Sequence, residues 1–235
     1  MDTQARHALK KDKFAQATAS SVSWVSVHRS GVLRWVIVAV VILAVGIGGI
    51  VFWSLRSSAA DTALGAAMDT YNAPLATPGA PPENGVYNTA ADRSGAANKQ
   101  FVAVVEKYGW LQQGAKAHYF AGITYQELGQ TAPAETELKA AEGSWDRNLS
   151  NLAKLALAGV YHQSARDPQA IDLYNQLVAK PSVTVSASVA ELDLANLYVA
   201  QGKQDQARAL WAKVKDADKD GAAGAIASQK LAGKQ

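Results

Sequence analysis

Residues 35–53, WVIVAVVILAVGIGGIVFW, run for 19 positions without a charged, amide or hydroxyl side chain. As a helix rising about 1.5 Å per residue, such a run covers roughly 28 Å, close to the ~30 Å hydrocarbon core of a bilayer. Trp35 and Trp53 mark its ends where interfacial aromatics prefer to lie, and Arg34 and Arg56 stand just outside them. A buried helix of a globular protein seldom runs so far without a polar face. The run therefore predicts a transmembrane helix, and the rest of the chain is arranged around it.

The flanks predict an orientation. Residues 1–34 hold six bases (Arg6, Lys10, Lys11, Lys13, Arg29, Arg34) and two acids (Asp2, Asp12). Beyond Arg56 come Asp61 and Asp69, with no further base until Arg93. Basic bias next to a span favours the N-terminus inside and the C-terminal portion outside, which in a bacterial inner membrane is the periplasm. A cleaved signal peptide is the rival reading, with Ser58-Ala59-Ala60 as its cleavage site. The apolar run is longer than a signal sequence needs and 34 residues precede it, so a retained single-pass anchor is expected.

Charge is unevenly placed. The whole chain is net +3, yet outside the first 34 residues 17 bases meet 18 acids. The basicity belongs to the arm, where anionic lipid is the natural partner, and the outer portion has no electrostatic footprint for nucleic acid. Leu9, Phe14, Val22, Trp24 and Val25 in the arm fit either a helix on the inner leaflet or a solvated tail. Cysteine is absent, which excludes disulfides, thiolate chemistry and zinc–thiolate sites.

The chain then divides into an arm (1–30), an anchor (31–56), a membrane-proximal helix with a Pro/Gly-rich loop (57–98) and a repeat domain (99–235). Residues 57–72 are alanine-rich and continue the membrane helix outward or form a first helix of the outer domain. Pro74, Pro78, Gly79, Pro81, Pro82, Asn84, Gly85 and Gly95 predict a loop from 73 to about 98. The next helix is expected over 97–108, ending at Gly109.

Beyond it three classes of residue recur at the same two spacings, 36 and 37. They are Tyr125, Tyr161 and Tyr198; Ala134, Ala170 and Ala207; and the bulky Leu138, Tyr174 and Trp211. Each unit reads as two helices. Gly122, Ala158 and Ala195 lie three residues before the tyrosine, small where a second helix passes close. Gly129 and Gly202 supply left-handed stops, and Pro133 and Pro168 suit the starts of second helices. The chain is thus expected to be all-α, a single transmembrane helix followed by a solenoid of helical hairpins.

These hairpins resemble tetratricopeptide repeats, although the period exceeds the usual ~34 residues and the early tryptophan is missing. The order of parts, a basic arm, one anchor, AANKQFVAVVEKYG, GAKAHYFAGITYQELGQ and AELDLANLYVAQGKQDQARALW, resembles the ancillary SecYEG translocon subunit family. That resemblance implies a protein-binding scaffold of the inner membrane whose partners are the SecYEG translocon and periplasmic chaperones. Periplasmic repeat proteins of the Tol–Pal and cell-division systems are similar in the repeats and imply an envelope-assembly scaffold instead.

First helices of stacked hairpins line a concave surface. Lys116, Tyr119, Ile123 and Gln126 are placed there, followed by Leu152, Leu155, His162, Leu192, Asn196 and Val199; a repeat core can also bury some of these. Asp216, Asp218, Asp220 and Gly221 spell the start of a calcium loop, but Ala227 stands where the closing glutamate belongs, so an acidic turn is expected. The four histidines do not cluster, and no protease, hydrolase, phosphate-loop or dinucleotide fingerprint occurs. No enzyme activity, cofactor or metal is expected. Within the span, Ala44 and Gly48 are four apart, as are Val45 and Gly49; this spacing suits a helix–helix contact and equally the ordinary tolerance of membrane helices for glycine.

Overall fold

The computed structural model describes residues 29–77 and 85–233. It is all-helical, apart from an isolated parallel bridge between Leu75 and Tyr87. The described helices are α1 (Arg29–Tyr71), α2 (Ala90–Tyr108), α3 (Gln112–Glu127), α4 (Thr131–Glu142), α5 (Arg147–Gln163), α6 (Asp167–Ala179), α7 (Ala187–Ala200), α8 (Gln204–Ala217) and α9 (Ala222–Leu231). The chain divides into two units, one up to Leu55 and one from Arg56 onward. The basic arm proposed for residues 1–30 lies almost wholly outside the described residues.

In the first unit, α1 is long and apolar enough to cross a membrane. It withdraws no face from its surroundings: Trp35, Ile42, Val45, Ile50 and Trp53 are all more than half exposed. Ala44, Gly48 and Gly49 are exposed too, and a β-carbon on either glycine would meet nothing. An unbroken apolar circumference on a helix this long is what a lipid-facing segment requires.

In the second unit the C-terminal part of α1 packs as a first helix of the array. Ala60 and Ala67 are fully buried, the former with Val104, Tyr108, Leu111 and Ala117, the latter with Ala97, Phe101 and Ala121. Phe101 stacks on Phe120 with ring centres 5.3 Å apart, and Tyr71 meets Phe101 edge-on. The Tyr71 hydroxyl donates to Glu127 at 2.6 Å, and burial with that carboxylate pushes the phenol up to about 12. Inside the α2–α3 hairpin, Asn98 Nδ2 donates to Thr124 Oγ1 (2.9 Å) and to the Ala121 carbonyl (3.2 Å), so its burial carries no unmet donor.

The loop expected up to residue 98 is shorter than the composition suggested. Helix α2 begins at Ala90, because Thr89 caps it: its hydroxyl accepts from Asp92 N (3.0 Å) and donates to Asp92 Oδ2 (2.8 Å). A reciprocal cap of this kind outweighs the roughly 1 kcal/mol that Gly95 costs in a helix interior. The ends of the remaining loop are tied together: Ala76 N donates to Tyr87 O and Tyr87 N to Pro74 O.

From α3 onward successive helices pack antiparallel on their chain neighbours. A continuous core runs from Ala134 and Leu138 through Leu157, Ala158, Tyr161, Leu173, Tyr174 and Leu177 to Leu194 and Leu197. A second cluster around Ala195, Ala207, Trp211 and Val214 is closed by Ala223 and Ala227 of α9. Helix α9 thus covers an apolar face of the third hairpin.

Candidate protein-binding groove

The recurring residues meet as their sizes demand. Ala134, Ala158, Ala170, Ala195 and Ala207 are completely buried, and the bulky Leu138, Tyr174 and Trp211 lie at 0, 7 and 7 % exposure. Each first helix also ends in the same way. Gln130 N, Arg166 N and Lys203 N all donate to the carbonyl of the repeated tyrosine five residues earlier, each at 2.8 Å. The residue between turns left-handed in every case: Gly129 (φ 71°), Ala165 (φ 57°) and Gly202 (φ 73°). This is the six-to-one bond of a Schellman cap, and it holds the hairpin turn at one angle through the array. The cations after the turn in two units lie over the same tyrosines, Arg166 at 4.5 Å from the Tyr161 ring centre and Lys203 at 5.7 Å from that of Tyr198.

First helices α3 and α5 touch one another, as do α7 and α9. Gln126 of α3 lies against Gly159 of α5. Of the residues placed on the groove by sequence, Lys116 and Asn196 are exposed, and Tyr119, Ile123, Gln126, Leu152, Leu155, His162 and Val199 are half-buried. Tyr119, Ile123, Leu152 and Leu155 lean on the central core, so only part of each is available outside. Leu192 is the exception. It is buried beside Ala195, Ala207 and Trp211 and serves the core of the third hairpin instead of a surface. Its neighbour Asp193 is half-buried, and burial raises its carboxyl above the usual range, offset in part by a hydrogen bond from Asn196.

The two histidines among the described residues each meet a carboxylate. His118 Nδ1 lies 2.6 Å from Glu137 Oε2, and His162 Nδ1 lies 2.7 Å from Asp167 Oδ1. Asp167 also accepts from Gln201 Nε2 of the following hairpin at 2.6 Å. The His162 bond, then the Gln201 bond, holds its carboxyl below the usual range. This relay ties α5, α6 and α7 together and leaves His162 less free to meet a ligand than a groove residue would be.

Among the described residues no group of three His, Asp or Glu side chains is placed to hold a metal ion. In the acidic turn the Asp218 carboxylate accepts from Gly224 N at 3.2 Å, capping α9, and it stands against Gly221 where a β-carbon would be. Asp218 is thereby a helix-capping residue.

Two exposed tryptophans escaped sequence reasoning. Trp110 is 62 % and Trp145 83 % exposed, both in loops joining one hairpin to the next. They stand 35 residues apart, a spacing near the repeat period, which is the signal that would have paired them.

The fold defines a class: among the described residues, one helix of membrane-spanning length followed by an array of helical hairpins. No protein-family model matches the chain, and no curated protein sequence matches it either.

Proposed function

We propose that the chain is a membrane-anchored protein-binding scaffold of the bacterial inner membrane, with its N-terminus cytoplasmic and its hairpin array in the periplasm. The observation that carries this reading is an apolar, membrane-length helix in one chain with an array of hairpins in which α3 meets α5 and α7 meets α9. Arrays of this kind hold partners on an extended surface and act by position more than by chemistry. The hairpins are read as divergent tetratricopeptide units, on the strength of the small–tyrosine–alanine–bulky register. The resemblance of the ordered parts to the ancillary SecYEG translocon subunit family supplies the partners: the translocon in the membrane and periplasmic chaperones on the groove.

Complexes solubilised in mild detergent and purified through this chain are expected to contain translocon subunits. Photo-crosslinkers placed at Lys116 and Asn196 in intact cells are expected to capture periplasmic proteins. Purification of the intact, abundant chain without translocon subunits removes the translocon assignment. Absence of any crosslink at both exposed positions removes the scaffold reading itself.

A further inference from the structure

Between the two helices of the middle hairpin, at the end away from its turn, lies a cleft of about 490 Å³. Three cations border it: Arg147 at the start of α5, Lys154 two turns on, and Lys180 just past the end of α6. Its walls are tied together. Asn151, 5 % exposed, donates from Nδ2 to the Lys180 carbonyl at 3.0 Å. Ser150 Oγ donates to the Glu142 carbonyl at 2.7 Å. The ends of α4 and α6 are thereby pinned to α5, so the backbone that carries the cations is in place before anything binds.

Little of this charge is neutralised within the chain. Lys154 Nζ lies 3.9 Å from Glu142 Oε1, whereas Arg147 and Lys180 have no ion pair among the described residues. Asp146, next to Arg147, is occupied in capping α5, accepting from Asn148 N at 2.9 Å. Beyond the first 34 residues 17 bases meet 18 acids, so three converging cations are a local excess. Like charges gathered around a concave wall repel one another and create the field that an anion enters.

Trp145 stands on the rim of the cleft at 83 % exposure. On its other side a second concavity, of about 230 Å³, runs to Trp110, itself 62 % exposed. The footprint thus has a basic end and an aromatic end. A small inorganic anion would use the first and leave the second. Nucleic acid asks for an extended basic surface, which an array so close to neutral lacks. An extended peptide with acidic residues beside an apolar one uses both ends, because an exposed tryptophan is the kind of anchor on which protein contacts concentrate. We propose that this cleft docks an acidic segment of a protein partner, its carboxylates held by Arg147, Lys154 and Lys180 and a neighbouring apolar side chain laid against Trp145. None of the residues lining the cleft is among those placed on the groove of first helices. The inference rests on the reading of the chain as a protein-binding scaffold, and it adds the chemistry of one ligand.

Fluorescence anisotropy with the full-length chain in a non-ionic detergent tests the site. The probe is a short fluorescein-labelled peptide of glutamates around a single leucine, amidated at its C-terminus so that only side-chain carboxylates are offered. The parent is expected to bind it about tenfold more tightly than a glutamine peptide carrying the same label, and to lose that margin as salt is raised. R147E/K180E is expected to weaken binding about tenfold or more, and W145A severalfold, with the helical circular dichroism retained. R147Q/K180Q, which adds no new charge, should show the same loss in milder form. K219E/K230E, an equal change of charge elsewhere on the array, should cost about twofold at most. Equal binding of the two peptides, or parental binding by R147E/K180E and R147Q/K180Q, overturns the site. A loss confined to K10E/K11E/K13E moves the binding to the N-terminal arm and overturns it as well. Displacement of the probe by oligothymidylate at lower concentration than by unlabelled peptide assigns the cleft to nucleic acid and overturns the peptide. Self-association of the chain that R147E/K180E abolishes assigns the cleft to a second copy and overturns a separate partner. Crosslinks at Lys116 and Asn196 without peptide binding overturn this site and leave the scaffold reading standing, whereas the absence of both overturns the two together.

Discussion

Leu138 of α4 occupies the space that Gly122 of α3 leaves empty: a β-carbon at Gly122 would lie 2.6 Å from Leu138 Cγ and 3.2 Å from Leu138 N. The other two hairpins have Ala158 and Ala195 at this place, facing Tyr174 and Trp211. In the first hairpin the backbones approach too closely for any side chain. Gly122→Ala gains intrinsic helix propensity, about 1 kcal/mol, yet forces the helices apart. The overpacking is expected to win, lowering stability by about 1–3 kcal/mol in urea titrations of the detergent-solubilised chain. A variant as stable as the parent would mean that α3 and α4 can separate freely.

The middle hairpin ends its first helix with Ala165 at φ 57°, where its neighbours use Gly129 and Gly202. An L-residue in this region is strained by roughly 1–2 kcal/mol, part of which is offset by the freedom glycine would lose on folding. Ala165→Gly is therefore expected to stabilise the array, by about 0.5–1 kcal/mol or ~1–4 °C in Tm. The reverse changes, Gly129→Ala and Gly202→Ala, should lower Tm in the same scan.

The hairpins were legible because close packing writes small residues and bulky ones at a fixed period, and because the turn requires a residue that turns left-handed. Residue 165 shows the boundary of that logic: its sequence neighbours Ser164 and Arg166 carry no stop signal, yet the chain turns there as it does at the two glycines. The start of α2 was hidden because Gly95 reads as a breaker, while the cap at Thr89 that overrides it depends on a single local geometry. Register alone places Leu192 on the groove. First helices of a stack bury more than one face, so register cannot separate a groove residue from a core residue one turn away. The inter-hairpin tryptophans give no signal in the sequence, because a lone aromatic in a loop has no period until two loops are laid side by side.

Glu135 of α4 supplies a pH dependence. Its carboxylate lies 2.6 Å from Arg166 Nη2 of the next hairpin and 2.7 Å from Lys139 Nζ. The Arg166 hydrogen bond, then that from Lys139, pulls its carboxyl down from the usual 4.5 to about 2. A depressed carboxylate contributes stability above its unfolded value and loses it as pH falls toward the folded one. Glu135→Gln should therefore melt below the parent at pH 6, with the difference fading below pH 4.5 and gone near pH 2. Parallel melting curves offset equally at every pH would show that the pair adds nothing beyond packing.

The third hairpin contains a buried charge held from outside. Glu191 of α7 is 2 % exposed among Ala190, Leu192 and Leu194, and one of its oxygens lies 2.5 Å from Lys213 Nζ of α8. The lysine side chain remains 63 % exposed, so its ammonium keeps most of its water while neutralising a carboxylate that has little. Removing the two partners has unequal consequences. Lys213→Ala leaves an ionised group in an apolar setting with its partner gone, a loss of about 2–4 kcal/mol expected for stranding a buried charge. Replacing both, as Glu191→Leu with Lys213→Met, removes the desolvation cost together with the attraction and should leave stability within about 1 kcal/mol of the parent or above it. Urea titrations of the parent, the two single variants and the double variant measure the coupling directly. A Lys213→Ala variant as stable as the parent would mean that Glu191 meets water or another donor in solution. The full loss in the double variant would mean that the pair, and not the packing around it, fixes α7 against α8.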